Sequence, residues 1–308
     1  MERLLITGID RLIGANLALV LADRFDVLGL YDRLAVESDC FRSLPDESGQ
    51  VRWAQLVGDF RPQWMIHCGS SSAASWDTRG EASAADRETQ RLGALTELAA
   101  SLGARLTVIT SDVVLAGPRM FHDESSAATS PAPRAVAVRR VETTLAGTPA
   151  LVVRTHAYGW SPTGAAPGFA EEAFRALDRG QAFEAPSSRH ATPILATDLA
   201  NLLVRAYELR LHGLFHLAGA ERTSAYRFAR ELGSACGIGF RSEGLSCTAE
   251  PAWPDETSLS SKRARRALEM ATPLLREGLE RFAEQATNGW RERWRTSAVA
   301  DNRHEIAA

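Results

Sequence analysis

Gly8 and Gly14 stand six residues apart in "LLITGIDRLIGANLALVLAD", between a short apolar strand and an amphipathic helix. That placement suits one kind of chemistry, the cradling of a pyrophosphate. In a dinucleotide-binding turn the first glycine makes the bend. The second lets the backbone approach the pyrophosphate, and the third lets the helix pack on the sheet. Gly8 and Gly14 meet the first and third needs, with Leu12 and Ile13 between them, but Arg11 stands where the second glycine belongs. Two roles are open to Arg11: its planar fork pairs with a phosphate, or its bulk fills the space a pyrophosphate needs. A third reading is that the glycines serve helix packing alone. Asp32 ends the strand-like "VLGLYDR". A carboxylate there accepts from both ribose hydroxyls of an adenosine and repels a 2′-phosphate, favouring NAD over NADP, while Arg33 beside it softens that preference.

Other chemistries find less support. The seven histidines show no HExxH spacing and no Cys/His cluster, so no metal is expected. There is no GxSxG turn, which leaves a hydrolase without its nucleophile. Cys40, Cys68, Cys236 and Cys247 form no CxxC pair and read as reduced thiols of a cytoplasmic protein. A net charge of -3 gives no electrostatic case for nucleic acid. No apolar run is long enough for a bilayer, and a first strand starting at residue 3 leaves no room for a signal peptide.

The elements that must position these residues alternate. Strand-like runs at Leu4–Thr7, Asp26–Tyr31, Trp64–Cys68, Leu106–Thr110 and Ala150–Arg154 are separated by helical patterns at Ile13–Ala22, Gln50–Asp59, Ala82–Ser101 and Pro133–Leu145. This order predicts a parallel sheet covered on both faces. Its ligands belong at the strands' C-terminal ends, which brings in Cys68, Gly69 and Ser70 as lining. After Arg154 the chain turns Gly- and Pro-rich. A helix at Phe169–Arg179, another capped by Thr197 or Asp198, a strand in "GLFHLAGA" and helices near Ser224–Cys236, Ser260–Leu268 and Pro273–Gln285 follow. Trp290 and Trp294 fall four apart on one face of a final helix, and the tail is expected to fray after about Thr296.

Several segments, in order, resemble one family. "ITGIDRLIGANL" is similar to the TGxxGFIG start of extended short-chain dehydrogenases, with Arg11 for the central glycine. "RPQWMIHCGSSSA", "VITSDVVLAG", "LVVRTHAYGW" and "ATPILATDLA" resemble successive motifs of the dTDP-4-dehydrorhamnose reductase branch, and the likeness runs to about residue 286. The resemblance implies an α/β fold, a doubly wound parallel Rossmann sheet with a smaller C-terminal α/β substrate lobe. Residues 1–155 with about 191–218 would form the dinucleotide-binding domain. About 156–190 and 219–290 would form the smaller lobe, and 291–308 a polar tail. It implies NAD or NADP as cofactor, a nucleotide or nucleotide sugar as ligand, and a homodimer through the helices of "ADRETQRLGALTELAA" and "RAVAVRRVETTL", or a partner protein.

The family's hydride transfer uses a Ser or Thr on the reacting oxygen, a Tyr as proton donor and a Lys four residues on, which binds the nicotinamide ribose. Ser111 and Asp112 match the first position and the acid beside it. Ala135 and Arg139 occupy the Tyr and Lys positions, and no tyrosine lies in that helix. Ala135 has no proton to give, and Arg139 stays charged at neutral pH, although it could still bond ribose hydroxyls. Asp112, His122 and His156 are the candidate replacement donors, with His122 read as a surface-loop residue. Arg154, Thr155, His156, Arg189, Thr192 and Pro193 match segments lining the sugar-nucleotide pocket, and Glu250-Pro251 replaces the branch's usual Arg-Pro. Three expectations follow: a nucleotide-binding relative without ordinary reductase chemistry, in a regulatory or assembly role; an oxidoreductase or epimerase with a substitute acid; or a non-redox lyase or isomerase.

Overall fold

Parallel strands buried on both faces read as near-continuous apolar runs, and "LLIT" and "RLTVITS" become such strands. In the computed structural model, which describes residues 1–46, 51–77, 85–162, 167–238, 245–248 and 256–298, β1 (Glu2–Thr7) leads through Gly8 into α1 (Leu12–Leu21). β2 (Phe25–Tyr31), β3 (Leu34–Glu37), β4 (Arg42–Pro45), α2 (Val51–Phe60), β5 (Trp64–His67), α3 (Ala85–Leu102), β6 (Arg105–Ser111), α4 (Pro133–Thr144) and β7 (Leu151–Thr155) follow. Beyond β8 (Ala157–Tyr158) come α5 (Phe169–Asp178), β9 (Phe183–Pro186), β10 (His190–Ala191), β11 (Ile194–Leu195), α6 (Ala196–Glu208) and β12 (Gly213–His216). β13 (Thr223–Ser224), α7 (Ala225–Ala235), β14 (Leu245–Thr248), α8 (Lys262–Leu268), α9 (Leu275–Thr287) and β15 (Arg295–Ala298) complete the described chain.

One sheet runs β12-β7-β6-β5-β1-β2-β4, with every pairing parallel. α1 and α6 pack together over one face, in a core that continues through Trp160, Phe228 and Phe282. A second apolar cluster, with Leu92, Leu95 and Val141, covers the other face beneath α3 and α4. Strand order reverses between β5 and β1, the switch point where open α/β sheets place their ligand crevice. There the two loops touch. Gly8 has φ +77°, and a Cβ on it would lie 2.1 Å from the Cys68 carbonyl oxygen. Gly14 is as tightly held, since its Cβ would fall 2.2 Å from the Gly8 oxygen. Gly8→Ala therefore meets both an unfavourable φ and a backbone clash. It is expected to destabilise the fold by about 2 kcal/mol or more, read as a lowered midpoint in chemical denaturation.

Most elements fall within a few residues of the sequence reading, and "AVAV" is helical, with Pro133 at the start of α4. The short strands β3, β8, β9, β13 and β14 were not expected, and three further features differ. β4 was not expected, because "RSLP" is a polar edge segment closed by proline, without alternation. α6 begins after Leu195 with no side-chain cap; Asp198 sits inside its first turn and pairs with Arg281 at 2.7 Å. The C-terminal segment is not a helix carrying two tryptophans on one face. After a 3-10 turn at Arg291–Arg293 it becomes β15, antiparallel to β3. Trp290 Nε1 donates to Asn16 Oδ1, Trp294 is buried, and the two rings meet edge to face. Backbone pairing holds this segment through Ala298, past the expected fraying point; 299–308 lie outside the described residues.

Candidate functional site

The glycine turn delivers α1 to the crevice with Arg11 at its N-cap, in extended geometry and without a side-chain cap. The Arg11 side chain folds back over the turn: its Cδ lies 3.5 Å from where a Gly8 Cβ would be, and its guanidinium comes within 3.8 Å of Asp32. Its Nε is buried with no hydrogen-bond partner. Asp32 is held more strongly by Arg91 of α3, at 2.7 Å, and Arg91 also faces Asp46 at 3.3 Å. Burial pushes the Asp32 carboxyl up, but the Arg91 hydrogen bond and the charges of Arg91 and Arg11 outweigh it and hold it below the ordinary value. Arg33 donates its amide to Asp10. Ile13 is core, whereas Leu12 turns toward the second lobe, where a Cβ on Gly168 would meet its Cδ1 at 2.8 Å.

At the end of β5 a second carboxylate appears. Glu88 of α3, 6% exposed, accepts from the Ser70 and Ser71 hydroxyls and, at 3.1 Å, from the Ser71 amide. His67 Nε2 lies 3.4 Å away, and its Nδ1 shares a 2.6 Å bond with Thr7. Burial opposes ionisation of Glu88, yet the nearby His67 imidazole and the serine bonds prevail and bring its pKa down to about 2. Gly69 is required here, for a Cβ would fall 2.0 Å from Glu88 Oε1. Cys68 is a free, fully buried thiol whose pKa burial pushes up.

The third cluster lies past β6 and joins the two lobes. Asp112 is wholly buried. Its Oδ2 accepts from His156 Nδ1 (2.8 Å), the Ser75 hydroxyl (2.7 Å) and Thr257, and its Oδ1 from the Ser75 amide (3.0 Å) and Ser111 (3.1 Å). Burial raises the Asp112 pKa, but the His156 charge and these bonds leave it below the ordinary value. His156 stands edge-on to Trp76, and both line a cavity of about 10 Å³ with Leu12 and Phe169, room for one water. Arg134, in the first turn of α4, donates to the carbonyls of Ala73, Ala74 and Asp77 and so pins the segment carrying Ser75 and Trp76.

The structure thus brings Ser111, Asp112 and His156 together, and Asp32 with Arg11. Other expected site residues go elsewhere. Ala135 is wholly buried where α4 lies against the turns Ser70–Ser72 and Asp112–Val114. Arg139 donates to the Ser130 carbonyl at 2.6 Å and lines a surface cavity with Glu142 and Arg154. Arg154 does not point to the Asp112 cluster; it binds Glu142 through two bonds. Thr155, on the strand's opposite face, is buried. Thr192 accepts from the Leu259 amide, and Arg189 bonds Ala225 through its carbonyl. His122 is not a surface residue: it is wholly buried and bonds Ser126 and the Glu256 carbonyl. Glu250-Pro251 lies outside the described residues. The sequence reading missed Ser75, Trp76, Glu88, Arg91, Arg134 and Thr257. Glu88 and Arg91 carried one usable signal, since residues three apart share a helix face.

A seven-stranded parallel sheet reversing at a glycine turn, with a second lobe meeting it beyond the strands' C-terminal ends, defines a Rossmann-type α/β protein. More narrowly, the chain belongs to the RmlD substrate binding domain family, which matches residues 1–288. No curated protein matches it. Among solved structures it is similar to a hypothetical dTDP-4-dehydrorhamnose reductase from Sulfolobus tokodaii, at 22% identity and TM-score 0.72, covering 88% of this chain and 96% of that one. The Bacillus anthracis dTDP-4-dehydrorhamnose reductase in complex with NADP matches at 18% identity and TM-score 0.73, covering 93% and 100%. The Bordetella bronchiseptica enzyme WbmH in complex with NAD+ matches at 16% and 0.71, covering 91% and 96%. At these identities the likeness is one of fold.

Proposed function

We propose that this chain is a nucleotide-binding member of its family, taking NAD(P) or a nucleotide sugar, that performs no ordinary reductase chemistry and serves a regulatory or assembly role. The observation carrying this reading is the fate of the two catalytic positions on α4. Ala135 is a buried methyl, and Arg139 is turned to the Ser130 carbonyl. The four tyrosines give no substitute: Tyr158 packs against Phe228 with its hydroxyl toward Gly278, Tyr207 stacks on Trp64, and Tyr31 and Tyr226 lie on β2 and α7. A missing general acid lowers a rate by roughly 10²–10⁴. The test is consumption of NADH or NADPH with a dTDP-4-keto sugar, run beside a family reductase that has the Tyr and Lys. Turnover at least about 10²-fold slower is expected, and equal turnover would falsify the reading.

The Asp112–His156 pair favours a second reading, an oxidoreductase or epimerase that uses His156 as its proton donor. A buried carboxylate 2.8 Å from Nδ1 fixes the tautomer and orientation of an imidazole, as a working acid requires. If the wild type is silent and Ala135→Tyr with Arg139→Lys is active, this second reading fails.

A further inference from the structure

We infer that the dinucleotide crevice of this chain is closed by its own side chains, with Arg11 as the closing residue, so that of the ligands proposed above NAD and NADP are excluded. This narrows the proposed function, and its test reads binding rather than turnover, so the two fail separately.

Three independent features converge on the switch point between β1 and β5. The first is steric. The middle glycine of such a turn exists so that backbone and pyrophosphate can approach. Here that position carries a Cβ and a long side chain lying back over Gly8, toward Asp32. The second is the ribose acceptor. Asp32 already holds the Arg91 guanidinium at 2.7 Å. A ribose hydroxyl would have to replace a charged donor with a neutral one, and charge-assisted bonds are about twice as strong as neutral ones. The third is electrostatic. The end of β5 carries the buried, ionised Glu88 against Gly69. A diphosphate entering here would lose water while facing a fixed anion. The residues present therefore do not fit NAD or NADP, although Gly8 and Gly14 keep the course of the turn.

This closure is reversible by substitution. Glycine is well tolerated at an N-cap with extended backbone, so Arg11→Gly should fold while removing the side chain over Gly8. Arg11→Ala serves as the second variant. Far-UV circular dichroism checks folding, and NADH or NADPH is titrated against tryptophan fluorescence. The wild type is expected to show no saturable binding up to about 1 mM of either nucleotide, with the variants gaining at least about tenfold in affinity. Saturable wild-type binding in the micromolar range overturns the inference. So do folded variants that bind no better than wild type. The wild-type titration decides by itself should neither variant fold.

Discussion

Asp112→Asn is expected to destabilise the folded protein by about 2 kcal/mol or more, since each buried polar group left unsatisfied costs about 1–3 kcal/mol. The carboxylate is fully enclosed and accepts from five donors, two of them on Ser75 and one each on Ser111, His156 and Thr257. Asparagine offers one acceptor oxygen and turns the other position into a donor. Whichever way the amide faces, at least two of the five donors then meet an N–H group in a buried site. Those donors come from the segment after β5, from β6, from the segment after β7 and from the loop before α8. The loss therefore loosens the junction of the two lobes. Guanidinium denaturation followed by tryptophan fluorescence reads the change. A loss under about 1 kcal/mol would mean that Asp112 is not the anion that organises this junction. The pH dependence has a definite sign. The folded pKa lies below the ordinary 3.8, so this contribution is present above that value and disappears as pH falls through the folded pKa.

What could be read from the sequence was local. The glycine turn, α1 and the central strands are encoded by short-range spacing and by runs such as "RLTVITS", so Gly8, Gly14 and the sheet were legible. β4 was not, because this edge strand has no fully buried residue and so needs no apolar alternation, and "RSLP" has none. The crevice was only half legible. Asp32 was visible at a strand end, but Arg91 and Glu88 sit in "ADRETQRLG", where charge reads as a solvated helix face. Only the fold, which lays α3 beside the segments that follow β5 and β2, turns that face inward. The same holds for the Asp112 cluster, in which Ser75, Asp112, His156 and Thr257 are separated by 37 to 182 residues. His122 was misjudged for a related reason. "FHDESS" has the composition of an exposed loop, yet backbone bonds to Ser258 and Ser260 draw it under the second lobe.

Glu88→Gln should flatten the acid limb of the protein's stability curve more than any other single carboxylate change on α3. Glu88 titrates at about 2 in the folded chain against an ordinary 4.5. Its folded pKa is depressed, so its contribution is complete above pH 4.5 and is lost as pH falls from there to about 2. The size at neutral pH is about 3 kcal/mol by linkage. The group is almost fully enclosed, so solvent screening takes little from that figure. Other buried carboxyls do not cancel it. Burial raises Asp77, Glu171 and Asp198, an effect of opposite sign, and all three are common to both proteins, so the difference between the two pH curves isolates Glu88. Glutamine keeps the shape and one acceptor for Ser70 or Ser71 but loses the charge facing His67, so the variant should be weaker at pH 7 and nearly equal to wild type near pH 2. The stability difference must shrink on acidification. If it is constant from pH 7 to pH 2, Glu88 is not ionised in the folded state, and the negative charge assigned to the end of β5 goes with it.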